Sequence, residues 1–293
     1  MEDFYFNSTS QDQSYDYSNS TSNYQDNSNI NNERGIMYVL TCIIIAIGLP
    51  LTLVAIYALY SMARSDHVTP IYVINLLITD LIQLCCMIVE VVPNVDDIIS
   101  LVFYCIYLSG QIASVYFMVC IALERYLVIA HPLWYHFGRT IKISVVVCVL
   151  VWVLSLVFVI LYYFFDYLVT DIIFVTFLLL PFPLLIFFLV GTIKALSATI
   201  SVPSDERRRI VGILVLVLLI YTLLFLPSII WYIKYLNENY DEILDSLSFI
   251  FVKLSPLADS VLYVFMRKGT IDKLLASVCC CRMDSNDISR SSV

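Results

Sequence analysis

Few residues of this sequence have the makings of chemistry, and those few interrupt long apolar runs. Asp80, Glu90, Lys253 and Asp259 each stand inside such a run. An ionisable group in hydrocarbon costs about 2.5–3.5 kcal/mol on insertion scales, so such residues are paired or functional by default. A lone carboxylate at the depth of Asp80 has to be neutral or partnered. Glu124-Arg125-Tyr126 closes another apolar run, setting a permanent cation beside an acid at its boundary. One reading of Arg125 is an interface residue whose stem covers apolar surface while its head reaches water. Pro181, Pro183 and Pro227 each remove a backbone donor from within a run, which predicts local bends. Neither a nucleophile with a base and an orienting group nor a metal-ligand cluster is present, so a non-enzymatic protein is expected.

The elements that must carry these residues are membrane spans. Of 293 residues, 60% are hydrophobic and only 14% charged, against about 25% charged in a soluble domain. Seven runs are long enough to cross about 30 Å of hydrocarbon as helices: 35–62, 70–92, 100–129, 141–163, 172–196, 209–235 and 243–266. The short alternating segments of a β-barrel are absent. The expected fold is all-α: a seven-transmembrane helix bundle over 35–266, preceded by a polar, compositionally disordered tail over 1–34. That tail has no apolar core, so the first span is expected to be the insertion signal. Arg64, Arg139, Lys142, Lys194 and Arg207 to Arg209 gather on one side with the basic C-terminal tail. The other side holds Asp96, Asp97, Asp166, Asp171, Glu238, Asp241, Glu242 and Asp245. The positive-inside rule therefore puts the N-terminus outside, in the plasma membrane. Asn7-Ser-Thr and Asn19-Ser-Thr then become glycosylation acceptors. Residues 267–278 read as an amphipathic cytoplasmic helix on the membrane surface, with Ile271, Leu274, Leu275 and Val278 on one face. Cys279, Cys280 and Cys281 follow where palmitoylation would anchor it. The ending Ser291-Ser292-Val293 fits a PDZ-type ligand.

Within this topology Asn75 to Asp80 occupies span two, Glu124-Arg125-Tyr126 with His131-Pro132-Leu133 ends span three, Trp152 centres span four, Pro227 lies in span six, and Asp259 to Tyr263 ends span seven. Together, and in this order, these motifs resemble the rhodopsin-like (class A) G-protein-coupled receptors over all seven spans. Gly48-Leu49-Pro50 and the aspartate of span seven look most like the nucleotide-, lipid- and proton-sensing branch. The resemblance implies a receptor that passes an extracellular ligand's signal to a heterotrimeric G protein by helix rearrangement. It assigns Glu124, Arg125, Tyr126, Arg207, Arg208 and Tyr263 to activation and coupling, with Phe225 and Pro227 at the hinge. It also brings Asp80, Ser114 and Asp259 together around an allosteric sodium ion; the other reading of the acids is a protonated, hydrogen-bonded pair. No other cofactor or metal is implied.

A ligand pocket on the outer side would be lined by Glu90, Tyr104, Tyr107, Gln111, Trp231, Tyr232, Tyr235, Phe249 and Lys253. Tyr107 stands where amine receptors carry an aspartate, so a monoamine is not expected. Spans two and seven are neighbours in such a bundle, so Glu90 and Lys253 are expected within reach. They form a structural ion pair, an anchor for an anionic ligand, or a pH-sensitive switch. Lys253 also matches the retinal-binding lysine of opsins, but Phe103 takes the counterion position and a pigment is not expected. His67, His131 and His136 all fall on the inner side, which argues against a histidine-based outer proton sensor. Departures from the family pattern are Thr52 for the span-one asparagine, Phe225 for a tryptophan, Ser260 for the span-seven proline, and Leu189 or Gly191 for a span-five tyrosine. Ser100 replaces the cysteine atop span three, so the usual outer disulfide is not expected. Arrestin, a PDZ protein and membrane lipid are further expected partners, and nucleic acid is not. The rival readings are a silent or scavenging receptor and an ion or solute transporter.

Overall fold

The computed structural model describes residues 18–65, 71–130, 141–164, 167–198, 204–237 and 242–266. Among these residues all regular structure is helical. The helices are α1 (Ser18–Ser65), α2 (Ile71–Val91), α3 (Asp97–Ala130), α4 (Ile141–Phe164), α5 (Tyr167–Leu179), α6 (Pro181–Ala198), α7 (Ser204–Leu236), α8 (Glu242–Lys253) and α9 (Ser255–Met266). In lipid each backbone N–H and C=O must be satisfied within its own segment, which is why every apolar run becomes helix. Six spans are unambiguous: Gly35–Tyr60, Ile71–Val91, Asp97–Ala130, Lys142–Phe164, Ile172–Ser197 and Arg207–Leu236. Helices α8 and α9, bent by 40°, make the seventh. The expected seven-helix bundle is therefore present.

The first helix differs from expectation. It begins at Ser18, within the stretch expected to be an unstructured tail. Once a span has supplied the costly nucleus, each added turn is cheap, so a helix can run on into polar sequence. Residues up to Leu40 form one compact unit and the chain from Thr41 onward another; the bundle described below belongs to the second. The amphipathic helix, Cys279 to Cys281, His131-Pro132-Leu133 and Asn7 all lie outside the described residues.

Helix α3 is the axis of the bundle and packs against α2, α4, α6 and α7. Ile112, Val115, Phe117, Met118, Ile121 and Ala122 of α3 are fully enclosed. Lipid tails are as apolar as leucine, so hydrophobicity does not hold the spans together. Close packing and interhelical hydrogen bonds do, the latter at about 0.6–1.7 kcal/mol each. Trp152 Nε1 donates to Asn75 Oδ1 (3.2 Å), and Asn75 Nδ2 donates to Cys148 Sγ (3.4 Å). The Trp152 ring also meets Phe117 edge-on at 6.1 Å, so one side chain joins spans two, three and four. Ser260 donates to the Pro256 carbonyl (3.0 Å). Its single proton thus spent, it accepts from Thr52 at 3.3 Å. Two of the departures from the family pattern thereby satisfy each other across spans one and seven.

Proline places the breaks. Pro181 has no N–H for the Phe177 carbonyl one turn back, and α5 gives way to α6 at Leu180. The Tyr116 hydroxyl of span three donates to that carbonyl at 3.4 Å. The Tyr221 hydroxyl of span six donates to the carbonyl of Leu178. Two tyrosines thus satisfy the opened backbone of span five. Leaving a buried acceptor unpaired costs about 1–3 kcal/mol. The Tyr116→Phe/Tyr221→Phe double variant is therefore expected to lower the thermal unfolding midpoint of the purified chain; an unchanged midpoint would mean that other donors serve these carbonyls. In span seven Pro256 has no N–H for the Val252 carbonyl one turn back, and the Leu254 amide divides its hydrogen bond between Ile250 (3.1 Å) and Phe251 (3.2 Å). The bend falls immediately after Lys253.

Candidate functional site

Three polar regions are stacked along the bundle. At the end where α2 finishes and α3 begins, two adjoining cavities open. The first, ≈ 140 Å³, is lined by Glu90, Tyr104, Tyr107, Phe249 and Lys253, with Ser100 and Phe103. The second, ≈ 210 Å³, shares Tyr104, Tyr107, Phe249 and Lys253 and adds Gln111, Trp231 and Tyr232. Eight of the nine residues singled out in the sequence are thus brought together. Tyr235 is not in the lining; its ring stacks on Trp231 at 5.5 Å. Phe174, Ser228 and Asp245 also line the second cavity and escaped the sequence reading, because only their helices' rotation turns them inward.

Lys253 is the most closely held group of this region. Its Nζ lies 2.5 Å from Glu90 Oε1, donates to Thr41 Oγ1 at 3.2 Å, and sits 4.9 Å from the centroid of the Phe249 ring. One ammonium joins spans one, two and seven. Its side chain is 5% exposed, that of Glu90 52%. Thr41, a lone hydroxyl in an apolar run, gave no sequence signal.

Below the cavities is a closed polar centre. Asp80 and Asp259 are fully buried, and Ser114 Oγ donates to Asp259 Oδ2 at 2.9 Å. Among the described residues no other side chain or backbone group pairs with either carboxylate oxygen of Asp80 or with the second oxygen of Asp259, and the two acids lie within reach of each other. The amide of Gln83 and the hydroxyl of Ser255 also lack a partner among the described residues. Gln83 and Ser255 were missed in the sequence, although Gln83 stands one turn from Asp80 and Ser255 one turn from Asp259. Hard cations take oxygen ligands, and a buried charge must be paired. The oxygen ligands of Asp80, Asp259 and Ser114 are of the kind a sodium ion takes, and the same two acids are placed to share a proton.

At the far end of α3 lies the third region. Glu124 is buried and Arg125 half-buried, with Arg125 Nε lacking a hydrogen-bond partner among the described residues. Tyr126 turns toward span five and lies between Phe187 (5.9 Å) and Phe188 (5.7 Å). It fills the space left by Gly191, where an added Cβ would come within 2.7 Å of the ring. A span-three tyrosine thus fills the space beside Gly191, one of the two span-five positions expected to lack the family's tyrosine. Arg207 and Arg208 are exposed at this end, and Arg207 Nη2 reaches Ser197 Oγ at 3.5 Å. Tyr263 is buried here. Phe225 is fully buried two residues before Pro227, with its ring 5.3 Å from Tyr221.

A seven-helix bundle with this order of motifs is similar to the rhodopsin-like receptors. Residues 51–171 match the family described as 7 transmembrane receptor (rhodopsin family). Mas-related G-protein coupled receptor member X1 of Homo sapiens is 32% identical over 121 residues, covering 40% of this chain and 37% of that protein. G-protein coupled receptor 68 of Mus musculus is 30% identical over 116 residues, 37% of this chain and 32% of that protein. The Rattus norvegicus Mas-related member X1 is 31% identical over 140 residues, 43% and 42%. The chain thus aligns with less than half the length of each of these relatives.

Proposed function

We propose that this chain is a plasma-membrane receptor, N-terminus outside, that couples an extracellular ligand to a heterotrimeric G protein without covalent chemistry. The observation that carries the reading is the order of the three regions. A ligand-sized cavity lies at one end, Arg125 at the other, and the Asp80–Asp259 centre between them, with spans six and seven containing Pro227 and the bend at Leu254. A ligand that binds one packing of such a bundle better than another shifts the population toward it. Arg207, Arg208 and Tyr263, with Arg125, would form the surface offered to the G protein. Sodium held by Asp80, Ser114 and Asp259 would supply a positive charge that favours one packing. Glycosylation at Asn7 and Asn19, palmitoylation at Cys279 to Cys281, and binding of arrestin and a PDZ protein accompany this reading.

The buried acids and Lys253 also suit a transporter, so the test separates the two. The chain is displayed at the cell surface and G-protein dissociation is recorded across the G-protein families, alongside ion and solute flux. Dissociation above that of cells lacking the chain supports the receptor. Flux without any G-protein response replaces it with the transporter, and silence in both replaces it with a scavenging receptor.

A further inference from the structure

The Glu90–Lys253 pair is lopsided. The ammonium is enclosed by Thr41 and Phe249 and is 5% exposed, whereas its carboxylate partner is 52% exposed. Lys253 therefore cannot exchange its partner for water without stranding a buried charge, but Glu90 can swing into solvent at little cost. What Lys253 requires is a carboxylate, not Glu90 in particular. Around it, Gln111 Nε2, Trp231 Nε1 and the Tyr107 hydroxyl are buried in residues lining the second cavity and have no hydrogen-bond partner among the described residues. The first two only donate, and the third can. Gln111 is 2% exposed, so its donor is held within the bundle. Donors left over call for acceptors, and a cationic head would meet them with the wrong polarity.

From this geometry we propose that the cavity binds a small organic anion, a carboxylate on an aromatic or apolar body, which takes Lys253 from Glu90. This deepens the receptor reading and rests on it for the consequence of binding, though not for binding itself. The ligand's acid stands where the carboxylate of Glu90 now stands, and its body lies among Tyr104, Phe249 and Tyr232. At ≈ 210 Å³ the cavity falls below the about 300–1,000 Å³ of drug-sized sites, so the ligand is small. Asp245, eight residues from Lys253, opposes an anion from about 12 Å along the helix, where water and salt screen it. Lys253 is the last residue before the bend at Leu254, so a change of its partner acts on the joint of span seven.

The test uses the purified full-length chain in lipid nanodiscs, with no G protein. Its probes are phenylacetate, phenylacetamide and phenethylamine, which share a body and differ in the head group. Phenylacetate is expected to raise the unfolding midpoint in a saturable way, and phenethylamine to leave it unmoved. Glu90→Gln removes the internal competitor. If Glu90 holds Lys253 nine-tenths of the time, the half-effective phenylacetate concentration falls about tenfold. Lys253→Gln abolishes the response. Lys253→Gln leaves Glu90 able to turn to water, and the Glu90→Gln/Lys253→Gln double variant strands no charge, so both are expected to fold and remain unresponsive. Should Glu90→Gln, which strands the ammonium, not fold alone, its recovery by phenylacetate and not by phenethylamine is the expected result, and recovery by phenethylamine would overturn the proposal. A midpoint raised by phenethylamine, an equal effect of acid and amide, a response surviving loss of Lys253, or no response in wild type and Glu90→Gln would overturn the proposal. Each would leave the G-protein assay untouched, and a negative G-protein assay would leave this binding measurement untouched.

Discussion

Arg125→Ala is expected to abolish G-protein dissociation by this chain while leaving it at the cell surface. Arg125 stands one turn and a half from the end of α3, and its Nε is buried without a partner among the described residues. Its neighbours are already specified without it: Glu124 is buried, and Tyr126 is seated among Phe187, Phe188 and Gly191. Truncation therefore takes away a charge and leaves the packing of spans three and five in place. If the arginine meets the G protein, the lost contact is made only in the active packing, and signalling falls at least about tenfold for each 1.4 kcal/mol forfeited. Surface display measured with dissociation in the same cells checks it. A variant that reaches the surface and signals like wild type would reduce Arg125 to an interface residue.

The second large effect concerns the polar centre. Replacing sodium by N-methyl-D-glucamine is expected to lower the unfolding midpoint of the wild-type chain and raise its basal G-protein dissociation. Asp80→Asn is expected to remove both dependences. Two fully buried acids, with three carboxylate oxygens that no other group pairs with among the described residues, motivate the expectation. A cation present at ten times its dissociation constant stabilises the state that binds it by about 1.4 kcal/mol. Asparagine keeps the size of the side chain but removes one negative charge, so the bundle should still form while its affinity for a cation drops. Identical midpoints in the two salts would favour the protonated pair of acids instead. Loss of sodium dependence in Asp80→Asn with its retention in Ser114→Ala would show the carboxylates, rather than the hydroxyl, to be the main ligands.

Several features of this site were readable before any coordinates. Asp80, Glu90, Lys253 and Asp259 are conspicuous because each is costly where it stands, and that cost is visible in one dimension. Donors and acceptors in helix interiors are less conspicuous. Tyr116 and Tyr221 resemble any other aromatic residue of a lipid-embedded span until the open carbonyls of Phe177 and Leu178 are placed beside them. Thr41 and Gln83 were overlooked for the same reason. A single polar residue costs little on a hydropathy scale, and its meaning lies in what it faces.

The sequence by itself determined that this chain crosses a membrane as seven helices, because transfer to hydrocarbon and backbone hydrogen bonding depend on segment length and composition alone. It also determined which residues had to find partners. Only the tertiary structure decided who those partners are: Lys253 with both Glu90 and Thr41, Thr52 with Ser260, and Tyr126 in the space beside Gly191. The physical reason is that the rotation and depth of each span are set by packing against its neighbours, where a shift of one residue turns a side chain by about 100°.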